Sequence, residues 1–340
     1  MMKKTLLLVS LIFISLISYG QKKEIKKAQK AIDSGDFTEA FSYINQAEGM
    51  ISSAESSIKA QFYMIKGQAY LGDSNNNFEK LKSSAKAFMK SLEVDPNGKF
   101  TAEVNDQIQN LRVALINSAI EDQKSKNYSM ASQKLYQSYN VSKADTSDLY
   151  FAEGTAVTAN EYDNALKYYK ELMDVNYTGI ERQYFAADVE SGEETLFDTK
   201  NERDLMVKSK TFKNPVERLT ESRQSEILRN MTLIYLNRGD NENASAIIKE
   251  AREKNPNDIS LIRAEAEMAY NVGDMDKYNI LMQEIVAADP TNPEVYYNLG
   301  VGSNKIGDTK KALEYYNKAL EFDPNYAEAL INAASLILSE

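Results

Sequence analysis

Apolar residues recur at spacings of three and four along most of the chain, interrupted by short polar breaks, and the clearest stretch is 293–326. There Asn292 can cap a helix and Pro293 can occupy its first turn, where a missing N–H costs nothing. Tyr296, Leu299 and Gly300 share one face of that helix, and Gly307-Asp308 breaks it. Ala312, Leu313, Tyr316, Ala319 and Leu320 form the stripe of a second helix. Pro324 pushes Asp323 out of the helical region and ends it. The same frame fits 225–258 and 259–292: Pro256, Pro290 and Pro324 stand 34 residues apart, and Gly239-Asp240, Gly273-Asp274 and Gly307-Asp308 keep step. Weaker copies occupy 21–54, 112–145 and 146–179, and a further one, with about five extra residues near Ser74–Asn77, covers 60–96. A fixed period of this length predicts an all-α stack of helical hairpins, each burying its apolar face on its neighbours.

Three segments leave the grid. Val104, Ile108, Leu111, Leu115 and Ala119 predict one long helix over 101–126, read as solenoid core because five positions are too few for a coiled-coil seam. Segment 180–224 lacks helical periodicity. Tyr184–Val189 and Glu194–Phe197 flank Glu190-Ser191-Gly192-Glu193, which predicts a β-hairpin, after which a short polar stretch and Asn214-Pro215 lead back to the array. Such an insert is either functional or a flap over an apolar seam. Ala327–Ser339 begins another repeat without a second helix, and Ala327, Leu330, Ala333, Ala334, Leu336, Ile337 and Leu338 make it apolar round most of its circumference. This predicts docking on a partner or a second copy, or a longer parent array.

Composition removes several kinds of chemistry. The chain has no Cys, His or Trp, so it offers no thiolate nucleophile, disulfide, zinc-thiolate site or histidine base. No spacing points to carboxylate catalysis, and no cofactor or metal is expected. Asp73-Ser74-Asn75-Asn76-Asn77 begins like a calcium loop, but Phe78 and Ser84 stand where Gly and the bidentate Glu belong, so it reads as a polar surface loop. At the start, Lys3-Lys4, the apolar run Leu6–Ile17 and Ser18-Tyr19-Gly20 read as a signal peptide, 1–20, cleaved after Gly20, and hence as export to the periplasm or beyond. Removing it takes the formal net charge from −10 to −12. Such a chain repels phosphate backbones and anionic membranes.

Tyr296, Leu299, Gly300, Ala312, Tyr316, Ala319 and Pro324 match seven of eight signature positions of the tetratricopeptide repeat, with Ser303 at the eighth. The chain resembles that family over most of its length, and particularly exported members from Bacteroidota. The resemblance implies a right-handed superhelix, divided here into repeats 21–179, the insert 180–224 and repeats 225–340. It also implies a concave groove lined by first helices, whose fifth positions include Ile116, Tyr150, Arg229, Arg263, Tyr297 and Ile331. Of these, Tyr150, Arg229, Arg263 and Tyr297 are the candidate partner-binding residues, since Arg and Tyr are favoured interface anchors. They can equally be solvated groove side chains. The family's terminal-carboxylate clamp would fall on Arg229, Leu233, Ala264, Glu294 and Asn298, or one repeat later on Arg263, Glu267, Asn298, Glu328 and Asn332. Neither set can neutralise two carboxylates. The expected function is a non-catalytic exported scaffold that binds protein or peptide segments. A carbohydrate-capturing or envelope enzyme-associated module is the alternative.

Overall fold

The computed structural model describes residues 20–339, so the segment 1–20, read above as a signal peptide, lies outside the described residues apart from Gly20. The chain divides into two compact units, 1–168 and 169–340. The first unit contains α1 (20–33), α2 (Phe37–Glu48), α3 (Ser56–Gly72), α4 (Phe78–Val94), α5 (Thr101–Lys124), α6 (Tyr128–Val141), α7 (Thr146–Thr158) and the start of α8 (Tyr162–Asp174). From α2 to α7 each helix packs on the next. Val104, Ile108, Leu111, Leu115 and Ala119 of α5 are all buried, as the long-helix reading requires.

The second unit takes the rest of α8 and then the insert: β1 (Arg182–Asp188), β2 (Glu194–Phe197), α9 (Lys200–Lys208) and β3 (Phe212–Leu219). Seven helices follow: α10 (Gln224–Asn237), α11 (Asn241–Lys254), α12 (Ile259–Val272), α13 (Met275–Ala288), α14 (Pro293–Lys305), α15 (Thr309–Phe322) and α16 (Ala327–Ser339). The 225–258 and 259–292 repeats stack consecutively, through α10 and α11 on α12.

The Gly-Asp pairs explain why each hairpin turns where it does. Gly35, Gly239, Gly273 and Gly307 have φ of +77°, +73°, +83° and +82°, a left-handed conformation that an added Cβ would strain. The Asp that follows each one then caps the next helix: Asp36, Asp240, Asp274 and Asp308 accept from the backbone N–H three residues on. Inside two of the hairpins, an aromatic ring of the second helix packs closely on a glycine of the first. A Cβ on Gly67 would stand 2.4 Å from the Phe88 ring, and one on Gly300 would stand 2.5 Å from that of Tyr316.

The insert is more than the predicted hairpin. The sheet has order β2-β1-β3, all antiparallel, and Gly192 turns the β1–β2 hairpin at φ +75°. Asn214-Pro215 does not lead back to the array but lies inside β3. An edge strand tolerates a residue without an N–H, and Asn214 adopts φ +52° opposite a register irregularity at Phe185/Ala187. The polar stretch before it is α9, which packs on all three strands with its Arg203 buried over the Tyr184 ring. A stem closes the insert: the Arg223 N–H donates to Thr178 O at 2.7 Å, and Thr220 N–H to Glu181 O at 2.9 Å.

In the pair Tyr168-Tyr169 both members are buried, and Tyr168 stacks on Tyr136 at 4.2 Å. On α16, the inward stripe is Ala329, Ala333 and Leu336, whereas Leu330 is exposed. Leu330 stands where Tyr296 stands in the preceding repeat, and that position packs on a second helix, which α16 does not have among the described residues.

Candidate functional site

The helices α12 and α14 both pack on α13, and their exposed faces flank it. Between them is a groove of about 510 Å³. Arg263, Glu267 and Tyr270 come from α12, one turn apart, and Glu294, Tyr297, Asn298 and Val301 from α14. Tyr278 of α13 closes the floor. Its hydroxyl donates to Asn298 O at 2.8 Å, and its ring is accommodated because position 302 is glycine, where a Cβ would stand 2.5 Å from it. Burial pushes the Tyr278 phenol far above its usual range, so it stays a neutral donor.

The chemistry of the groove is mixed. Arg263 forms a long ion pair with Glu294, 3.9 Å, and both stay partly exposed, so the guanidinium keeps donors free for a ligand. Tyr297 packs its ring against Tyr326 at 5.3 Å and Tyr316 at 5.8 Å, while its hydroxyl accepts from Asn332 at 3.4 Å. At the groove's end, the exposed Lys305 donates to the Tyr270 carbonyl at 2.7 Å and sits over the Tyr270 ring at 3.5 Å. The result is a shallow surface of flat rings with one guanidinium and two carboxylates. It can hold an extended segment by stacking and charge-assisted hydrogen bonds.

Two of the four residues picked by register, Arg263 and Tyr297, share this groove. Arg229 is not among its lining residues. It is half-buried, and its guanidinium turns to Asn230 at 3.3 Å, whose amide in turn donates to the Tyr169 hydroxyl at 3.2 Å. Tyr150 belongs to the first unit, where it is half-buried with its ring edge-on to the exposed Phe151 at 5.8 Å. The Asp73 loop engages a side-chain cation: Lys80 donates to Asp73 O at 3.0 Å and Oδ2 at 2.8 Å.

Among known families, the tetratricopeptide repeat matches residues 293–326. The chain is 32% identical over 90 residues to a probable biofilm formation methyltransferase, WspC, of Pseudomonas putida, covering 26% of this chain and 21% of that protein. It is 51% identical over 41 residues to an uncharacterized protein of Methanocaldococcus jannaschii, covering 12% of this chain and 48% of the other. The chain thus spans about a fifth and about half of the curated relatives it matches. A tetratricopeptide repeat protein from Parabacteroides merdae is similar in structure, with TM-score 0.38, 11% identity, and coverage of 94% of this chain and 99% of that one.

Proposed function

Because the chain belongs to the tetratricopeptide-repeat superfamily, we propose that it is a non-catalytic scaffold whose α12–α14 groove holds an extended segment of another protein. The observation that carries this reading is the meeting of Arg263 and Tyr297 with Tyr270 and Asn298 in one open groove. Arg and Tyr offer large planar contacts at low entropic cost. No helix among the described residues is long and apolar enough to cross a membrane, and Lys3-Lys4 with the Leu6–Ile17 run supports export of the scaffold to the cell envelope. The exposed Ile331, Ile337 and Leu338 of α16 support a second contact, between copies.

The test is selection from a displayed random-peptide library on the immobilised full chain, repeated with R263E/Y297A. The proposal expects an enriched motif on the native chain that the variant loses while its circular dichroism stays that of the folded chain. Enrichment of the same motif on both, or none on either, would sink it.

A further inference from the structure

The seam between α2, α3 and α4 is open where its counterparts are closed. The glycine–ring contacts set the register: Gly67 under Phe88 corresponds to Gly300 under Tyr316. Lys66 then corresponds to Leu299, and Ala87 to Tyr315. In the last full repeat Leu299 is buried, and Tyr315 packs on the core and accepts from Gln283 of α13 at 3.4 Å. One repeat earlier, Arg252 closes the seam by pairing with Glu265 at 3.0 Å and Glu284 at 2.9 Å. In the α2–α4 seam the lysine and alanine leave a cavity of about 660 Å³, a size that suits a small organic ligand.

The lining of this cavity selects by charge. Lys66, Lys86 and Lys90 face two carboxylates, Glu48 and Glu93, in a chain whose formal net charge is −10. Lys66 lies 2.5 Å from Glu48 and Lys90 2.6 Å from Glu93, while the exposed Lys86 has no ion pair among the described residues. Tyr63 and Tyr70 supply flat walls. We propose that this seam binds a small organic anion, a carboxylate or phosphate ester with an apolar body. Its charged end would share Lys66 and Lys90 and neutralise Lys86, and its body would occupy the space that Tyr315 fills in the last repeat.

The test uses anilinonaphthalene sulfonate, an anion with an apolar body, titrated by fluorescence into the full chain, K86E/K90E, A87Y and the surface control K310E. The proposal expects a saturable component that K86E/K90E weakens at least about tenfold, the loss of one or two charge-assisted contacts. A87Y restores the side chain found on α15 and should remove that component without changing the circular dichroism, whereas K310E should retain it. Displacement by benzoate or by phenyl phosphate then separates a carboxylate from a phosphate ligand. Dye signal that persists in every variant belongs to other apolar surface. The proposal is overturned if no component is lost in K86E/K90E, a reading that stands even where A87Y fails to fold.

Discussion

Arg112 shows how single residues hold the repeats in register. It reaches from α5 to two carboxylates at the start of the next repeat, Asp145 at 2.7 Å and Asp148 at 2.8 Å, and Ser138 of α6 donates to the same Asp148 oxygen at 2.6 Å. Asp148 is buried, so removing its partner strands a charge. R112A should cost about 3–5 kcal/mol in urea unfolding, and a loss below about 1 kcal/mol would show that Asp148 is rehydrated in the variant. The hairpin turns offer the opposite case. Lys126 and Asn160 stand 34 residues apart at the Gly-Asp position of their repeats and adopt φ +60° and +59° without being glycine. Lys pays a Cβ clash there that Asn largely avoids. K126G should therefore stabilise the chain by about 0.5–1 kcal/mol and N160G by less, measured as urea midpoints. The reverse order would mean that the turn's side chains, not its backbone, set the energy.

At the scale of elements, the helices were legible because each carries its own start and stop, a Gly-Asp or Asn-Pro pair, around a stripe of period 3.6. The third strand was not. Asn214 and Pro215 read as breakers, and β3 buries so little that no alternation marks it. α9 was equally hidden: of its residues only Arg203 is buried, and an Arg does not advertise a core. The groove was half legible. Arg263 and Tyr297, picked by register, line one groove, but nothing in the sequence says that Asn230 draws Arg229 aside, or that Gly302 makes room for Tyr278. The Arg112–Asp148 pair was also invisible, since partners 36 residues apart leave no local pattern. The terminal helix α16 carries the clearest element-scale prediction. Ile331 is 67% and Leu338 87% exposed, so charging both leaves the packed stripe of Ala329 and Ala333 untouched. If copies associate through this face, light scattering should show a mass that rises with concentration for the native chain and stays monomeric for I331E/L338E. Equal masses at every concentration would remove self-association from the proposed function.

At the scale of the molecule, the packing is local. Each helix of the second unit's array packs on its sequence neighbours: α10 on α11 and α12, α12 on α13, α13 on α14, α14 on α15, α15 on α16. Stability in such an array approximates a sum of repeat and nearest-neighbour terms, so a run of intact hairpins should stand alone while a cut through a hairpin should not. The α12–α14 core is made of Ile262, Ala266, Ala269, Tyr278, Leu281, Met282, Ile285, Val295 and Leu299, all inside 224–340. A fragment of 224–340 gives up the insert and the Asn230–Tyr169 hydrogen bond but keeps every helix pair of this array. It should be helical in water and unfold in one urea transition with a smaller slope than the full chain, in proportion to the surface it buries. A fragment of 224–273 cuts the α12–α13 hairpin, strips Ile262, Ala266 and Ala269 of their α13 partners, and should show a broad, sloping transition. Circular dichroism across a urea series distinguishes the outcomes. If 224–340 is unfolded in water while the full chain melts as one unit, stability is not carried by neighbouring hairpins, and the 34-residue repeat sets the fold's shape without setting its energetics.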